Sequence, residues 1–133
     1  MKILEEKFVN IDYDAASATL IQTWLGFISS ENFRSAIDKT VDISREKNVR
    51  AIISDTSQLS IVRREDTEYA ASVMPELIQN GLKKMAFVLS ENAFAQMSVK
   101  NFSTQTREKV EENELVKHFT SMELATKWIN SVS

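Results

Sequence analysis

One apolar segment near the middle of the chain, Val49 to Ile53, most limits the fold that this sequence can adopt. The segment is rich in β-branched residues, it runs into the polar stretch Ser54-Asp55-Thr56-Ser57, and a helical pattern lies on each side of it. A short apolar run between two amphipathic helices indicates a strand that is covered on both faces of a sheet. The segment 82–89 also indicates a covered strand that ends in polar residues, so we predict two covered strands that lie side by side and parallel.

The patterns on either side of these strands predict a mixed α/β arrangement. Alternating apolar residues within 3–13 and a β-branched segment over 19–25 predict an antiparallel hairpin at the N-terminus. Four amphipathic stretches predict helices, of which the second begins near Arg64 and is kinked or split at Pro75. The charged run at 107–114 fits either an extension of the third helix or an exposed loop. We therefore expect a single domain over 1–133, with a mixed β-sheet (the hairpin, then parallel strands) covered by about four helices.

The composition excludes several classes of function. The 133 residues include no cysteine, which excludes disulfides, thiol catalysis and zinc–thiolate sites. The net charge is −3 and no long basic cluster occurs, which argues against nucleic-acid binding. The sequence has neither an apolar run of membrane-spanning length nor a secretory signal, so we expect a cytoplasmic protein. With only two glycines the chain lacks a glycine-rich phosphate loop, and we expect no cofactor and no metal.

Polar residues at the end of the central strand are the first candidate binding site. Asp55, Thr56 and Ser57 follow the apolar segment, where α/β proteins commonly place a ligand. The alternative is that Asp55 only caps a turn, by accepting hydrogen bonds from the backbone N–H groups that follow it. Both interpretations assume that the strand ends at Asp55.

Two adjacent arginines are the second candidate binding site. Arg63 and Arg64 precede the helical pattern that follows the central strand. In a parallel sheet they lie beside the same end of that strand, where together with the helix N-terminus they are suited to bind an anion. The alternative is a solvated pair that is balanced by Glu65 and Asp66.

Catalytic chemistry has little support in the sequence. His118 is the single histidine, and a catalytic base needs a nucleophile and an orienting group beside it. We expect a structural or surface histidine, and an enzyme only if Asp55 and His118 share one pocket. Phe94, Met97 and Phe102 on the third helix either line an apolar ligand pocket or pack against the sheet.

Four stretches of the chain resemble the STAS-type domains of the SpoIIAA-like group, which also takes in STAS/SEC14-like proteins. They are 23–26 with 31–34 (TWLG and ENFR), 51–57 (AIISDTS), 81–86 (GLKKMA) and 119–129 (FTSMELATKWI). The resemblance spans nearly the whole chain. It implies a STAS/SpoIIAA-like fold and a non-enzymatic module that binds a protein partner, a small ligand or a lipid-like molecule.

The resemblance also shows where this chain departs from its group. In anti-sigma-factor antagonists, a partner kinase phosphorylates a serine at the start of the helix after the central strand. Counting forward from Asp55, that position falls at Arg63-Arg64-Glu65, and neither Ser57 nor Ser60 is aligned with it. We therefore expect a binding or regulatory module without that serine; the alternative is a carrier of a small apolar or lipid-like ligand. The hairpin edge also offers a surface for a homodimer.

Overall fold

The secondary structure follows the predicted alternation of strands and helices. The computed structural model describes residues 1–110 and 115–131. Six strands lie in these ranges: β1 (Lys2–Glu5), β2 (Val9–Asp14), β3 (Thr19–Gly26), β4 (Ala51–Leu59), β5 (Lys84–Val88) and β6 (Val116–Phe119). The same ranges contain five helices: α1 (Ser30–Glu46), α2 (Arg64–Ser72), α3 (Met74–Gln79), α4 (Ala93–Arg107) and α5 (Met122–Asn130). Among the described residues, no helix is both long and apolar enough to cross a membrane.

The strands form one mixed sheet in the order β1-β2-β3-β4-β5-β6. β2 pairs antiparallel with β1 and with β3, whereas the pairs β3–β4, β4–β5 and β5–β6 are parallel. The two covered strands are neighbours, with Ile53 opposite Ala86. This arrangement confirms the predicted mixed α/β sheet and the parallel pairing at its centre.

Helices cover the two faces of the sheet unequally. Ile52 points into a large core that also contains Ala36 of α1, Ala70 of α2 and Val99 of α4. Ile53 points to the opposite face, because successive side chains of a strand alternate. There it packs with Ala125 of α5 in a smaller core. One face therefore carries α1, α2 and α4, while α5 covers β4, β5 and β6 on the other face.

The N-terminal strand predicted within 3–13 is two strands rather than one. Glu6 donates its backbone N–H to the carbonyl oxygen of Val9 over 2.9 Å, in a tight turn that folds β1 back on β2. The turn occurs where Glu6-Lys7-Phe8 interrupts the alternation of apolar and polar residues. β1 rather than β2 is thus the edge strand, and the homodimer at this edge stays a prediction.

The predicted break at Pro75 is confirmed. The helical segment divides at Val73, so that α2 ends at Ser72 and α3 begins at Met74. Proline lacks a backbone N–H and is tolerated in the first turn of a helix, which is where Pro75 lies in α3. The third predicted helix, α4, ends at Arg107, while residues 111–114 of the charged run lie outside the described ranges.

The main correction to the predicted fold concerns the central strand. The prediction that the strand ends in a turn at residues 54–57 is wrong, because β4 continues through these residues to Leu59. β3 pairs with this extension as far as Gly26, opposite Leu59. Thr56 and Ser57 together stand opposite the single residue Trp24, which makes a β-bulge in this pair of strands.

The polar residues of the extension do not end the strand because they find partners inside the fold. The Trp24 indole N–H donates to the Ser54 hydroxyl over 2.9 Å. The Thr56 hydroxyl donates to the carbonyl oxygen of Val88 over 2.7 Å. Both Ser54 and Thr56 are buried, and a buried hydroxyl that is hydrogen-bonded costs little stability.

Candidate functional site

The two halves of the first candidate site point in different directions. Asp55 alternates with Ser54 and Thr56 on β4 and so projects from the face that α5 covers, whereas Thr56 faces the large core. The Asp55 carboxylate accepts the backbone N–H of Ser57 over 3.0 Å, which is the capping role that was its alternative interpretation. Ser57 is exposed. The structure therefore separates these three side chains rather than gathering them around one ligand.

The arginine pair lies exposed at the start of α2, on the opposite face of the sheet from the Asp55 carboxylate. Arg63 is the N-cap residue, and its side chain makes no capping hydrogen bond. Across the described residues, neither the Arg63 nor the Arg64 guanidinium has an ion-pair partner. These two positive charges are thus free to meet a partner from outside the chain.

The expectation that Asp66 balances these arginines is wrong. Asp66 is 1% exposed and lies between α2 and α1. Its carboxylate accepts the Ser30 hydroxyl over 2.6 Å and the Arg34 Nε–H over 2.9 Å. Arg34 also lies over the ring of Tyr69, at 4.8 Å from its centroid. Asp66 joins the two helices and makes no ion pair with Arg63 or Arg64.

A set of exposed apolar side chains lies at the same edge of the sheet as the arginine pair and was not recognised as a group from the sequence. Phe27 is 64% exposed, Phe94 62%, Met97 55% and Ile61 36%. We call these four residues the carboxyl-edge patch, because each follows the carboxyl end of one of the parallel strands β3, β4 and β5. Gly26 ends β3 with a positive φ of 69°, a conformation that suits glycine, and directs the chain outward to Phe27.

Hydrogen bonds hold the segments of the carboxyl-edge patch together. The Ser60 N–H donates to the Gly26 carbonyl oxygen over 3.0 Å, which holds the backbone before Ile61 next to the backbone before Phe27. The Val62 N–H donates to the Ser98 hydroxyl over 2.9 Å, and that hydroxyl donates in turn to the carbonyl oxygen of Phe94. The segment 60–64 therefore lies between the end of β3 and the first turns of α4, and Arg63 and Arg64 continue directly from it.

The predicted pocket on the third helix is corrected by the same geometry. Ala95, Val99 and Phe102 are buried against the core, which places Phe94 and Met97 on the outer side of α4. The helical spacing of the three buried residues was the signal in the sequence, because a stripe at 95, 99 and 102 leaves 94 and 97 outside it. Phe102 alone of the predicted pocket residues faces the interior.

His118 lies on β6 beside α4. Its Nε2 is 3.0 Å from the Ser103 hydroxyl, and its ring contacts Phe87 edge-on with centroids 5.8 Å apart. These contacts shield the imidazole although the residue as a whole is exposed. Burial lowers the pKa of His118 below 6.5, and the nearby Arg107 cation lowers it further.

The lowered pKa of His118 predicts a loss of stability in acid. The unfolded chain binds a proton at this residue at higher pH than the folded chain does. Stability therefore rises with pH between the pKa of His118 in the folded protein and its pKa in the unfolded chain. We expect the contribution of His118 to the free energy of unfolding to be complete above pH 6.5. It should be lost as the pH falls through the lower pKa that His118 has in the folded protein. Urea unfolding at several pH values should show a smaller decrease in the free energy of unfolding for His118→Gln than for the wild-type chain. An equal dependence of this free energy on pH in both proteins would contradict the prediction.

A small cavity lies in the large core. It has a volume of about 50 Å³ and lies between the sheet and helices α1, α2 and α4. Trp24, Phe33 and Val99 are among its lining residues. Among the described residues, no cluster of three or more histidine, aspartate or glutamate side chains is arranged to hold a metal ion.

Several solved structures share this architecture, including the two that follow. The anti-sigma factor antagonist SpoIIAA in its unphosphorylated form matches with a TM-score of 0.62 and 13% sequence identity, over 100% of this chain and 98% of that chain. SLC26A9 matches with a TM-score of 0.55 and 21% identity, over 84% of this chain and 20% of that chain. No protein-family model and no curated protein sequence matches the chain. The chain has a STAS/SpoIIAA-like fold, as its four resembling stretches predict.

Proposed function

We propose that this chain is a non-enzymatic regulatory module that binds a protein partner at the carboxyl edge of its sheet. The observation that carries the proposal is the carboxyl-edge patch, four exposed apolar side chains beside two arginines without an ion-pair partner in the described structure. SpoIIAA, which has the same fold, is an antagonist of an anti-sigma factor and so acts through another protein.

The composition of the patch is that of a protein–protein interface. Contiguous exposed apolar residues with a polar rim mark interaction sites on soluble proteins. Aromatic residues, methionine and arginine are the types enriched at the centres of such interfaces, and they carry most of the binding energy. Phe27, Phe94 and Met97 would be the apolar anchors, and Arg63 and Arg64 would form the charged rim.

The free arginines specify the chemistry of the partner. Two unpaired guanidiniums favour a surface that carries carboxylates, because opposite charges steer the encounter and fix its register. We therefore expect a partner with an apolar contact region flanked by aspartate or glutamate. In this proposal Asp55 supports β4 and the binding energy comes from residues of the patch and its rim.

Two features support a binding role without catalysis or a phosphoserine. Asp55 projects from the face that α5 covers, whereas His118 contacts Ser103 of α4 on the other face, so the acid–base pair considered from the sequence is not assembled. Arg63, Arg64 and Glu65 at the start of α2 carry no hydroxyl group to phosphorylate, and the hydroxyl of the nearby Thr67 is buried and donates to the carbonyl oxygen of Arg64. The module would thus be regulated by the availability of its partner rather than by a switch at this helix.

The carrier alternative receives no support from the interior. A lipid-like ligand needs a pocket of several hundred cubic ångströms. The cavity between α4 and the sheet has a volume of about 50 Å³, and Phe94 and Met97 do not line it. We therefore favour a partner that docks on the surface.

The proposal predicts that the patch decides which proteins the chain retains. Three baits would be compared in lysate of its own cells: the wild-type chain, the double variant Phe94→Gln/Met97→Gln, and the control Met122→Gln/Leu124→Gln. The control removes a methionine and a second large apolar residue that are also exposed, 36% and 48%, but lie on α5. Substitutions at such exposed sites change stability by about 0.5 kcal/mol or less, so all three baits should stay folded.

The expected result is a protein that the wild-type and control baits retain and the Phe94/Met97 variant loses. Quantitative mass spectrometry of the three eluates measures the difference. Equal retention by all three baits would contradict the placement of the interface on the patch. Loss from the α5 control alone would place the interface on the other side of the sheet.

A further inference from the structure

The interior cavity lies beneath the segment that carries part of the carboxyl-edge patch. Leu59 lines it from the end of β4, Val62 from the connection between β4 and α2, Ala70 from α2 and Val99 from α4. These lining residues are themselves buried. The proposed docking of a protein partner makes no use of this space.

The polar side chains that line the cavity already have partners within the protein. The Trp24 indole donates to Ser54, and Thr56 donates to the carbonyl oxygen of Val88. The Ser98 hydroxyl is hydrogen-bonded to the backbone of Val62. The Gln22 side-chain amide donates to the Thr40 hydroxyl, and the Thr67 hydroxyl donates to the carbonyl oxygen of Arg64.

The buried polar atoms that lack a partner lie elsewhere. Within the described ranges they belong to Asn10, Gln105 and Thr106, and none of these residues lines the cavity. A buried water needs two to four hydrogen bonds, and apolar cavities without such partners stay empty of water. The space is large enough for water but offers it little to bind, so it favours an apolar occupant.

We propose that this cavity binds a small, uncharged, apolar molecule. Its volume of about 50 Å³ is one third of the roughly 150 Å³ of an engineered apolar cavity that binds benzene. An occupant of this size is a xenon atom or a molecule of two or three carbon atoms. Binding would place atoms against Leu59 and Val62, next to Ile61 of the patch.

Xenon is the probe that tests this site. We expect saturable binding of xenon to the wild-type chain in ¹²⁹Xe NMR, with methyl chemical-shift changes at Leu59, Val62 and Val99. Ala70→Val adds two methyl groups to the cavity wall and should abolish the saturable binding. Ala93→Val adds the same two groups at an exposed position of α4 and should leave it unchanged.

A second variant keeps the test decisive if valine is not accommodated at position 70. Val99→Ala enlarges the cavity and should strengthen xenon binding, because the removed methyl groups leave space that xenon can occupy. Xenon shifts that grow linearly without saturation in the wild-type chain, or that persist unchanged in folded Ala70→Val, would overturn the proposal. Failure of the partner-retention experiment would leave this site unaffected, because the cavity does not depend on the docking surface.

Discussion

Replacing Arg34 with methionine is expected to lower the free energy of unfolding by about 3 kcal/mol, because it leaves a buried carboxylate without its cation. The Asp66 side chain is 2% exposed, and Arg34 donates to it over 2.9 Å. Breaking a buried ion pair by removal of one partner costs roughly 3–5 kcal/mol. We expect the lower end of this range because Ser30 still donates to Asp66 over 2.6 Å and because the Arg34 side chain is itself 43% exposed to solvent.

A second arginine of α1 provides the matched control. Arg45 pairs with Glu76 of α3 over 2.6 Å, but both side chains are well exposed, 56% and 39%. An exposed pair contributes about 0–1 kcal/mol, so Arg45→Met should have a small effect. Urea unfolding of both variants measures the difference. The two variants make the same chemical change on the same helix and differ in the burial of the carboxylate.

A double variant separates the buried charge from lost packing of the Arg34 side chain. Arg34→Met/Asp66→Asn removes the uncompensated charge and should recover part of the stability that Arg34→Met loses. Equal effects of Arg34→Met and Arg45→Met would show that the Asp66 contact contributes no more than a surface pair. An absence of recovery in the double variant would attribute the loss to packing instead.

The central architecture could be predicted because apolar periodicity reports it directly. The runs at 49–53 and 82–89 are too short for typical helices, the first of them is rich in β-branched residues, and the structure has them as parallel neighbours. The end of β4 could not be predicted in the same way. Ser54 and Thr56 look like turn residues by type, and only the three-dimensional positions of Trp24 and Val88 show that both hydroxyls are satisfied inside the fold.

The candidate site was predictable in part for a similar reason. The positions of Arg63 and Arg64 at the start of α2 follow from the local pattern, and the structure has them there. The burial of Asp66 depends on Ser30 and Arg34, which lie more than thirty residues away in the chain. The outward direction of Phe94 and Met97 depends on which stripe of α4 meets the sheet, and their residue types alone favour the core.

Reversing the charge of both rim arginines is expected to have the largest effect on binding. In Arg63→Glu/Arg64→Glu, two guanidiniums that would face carboxylates of the partner become carboxylates themselves, and like charges across an interface cost several kcal/mol. The folded state should tolerate the change, because acidic residues in the first turn of a helix interact favourably with its dipole. We expect the association rate with the retained partner to fall about tenfold or more at low salt.

A matched charge reversal at the other end of the sheet controls for net charge. Arg50 and Lys83 are exposed beside the amino ends of β4 and β5, and Arg50→Glu/Lys83→Glu changes the net charge by the same amount. The effect of the Arg63/Arg64 variant should shrink as salt screens the charges, because electrostatic steering of exposed groups falls with ionic strength. Comparing the two charge reversals thus shows whether the partner recognises Arg63 and Arg64 in particular or responds only to the net charge of the protein.

The most direct measurement uses the partner that the wild-type bait retains. Its association rate is measured with the purified wild-type chain, with Arg63→Glu/Arg64→Glu and with Arg50→Glu/Lys83→Glu, at low and at high salt. If the partner docks at the carboxyl edge, association should be slow with Arg63→Glu/Arg64→Glu, and the association rate of Arg50→Glu/Lys83→Glu should be close to that of the wild-type chain. Equal rates for all three proteins, or an equal decrease in both variants, would contradict a docking surface at the carboxyl edge of the sheet.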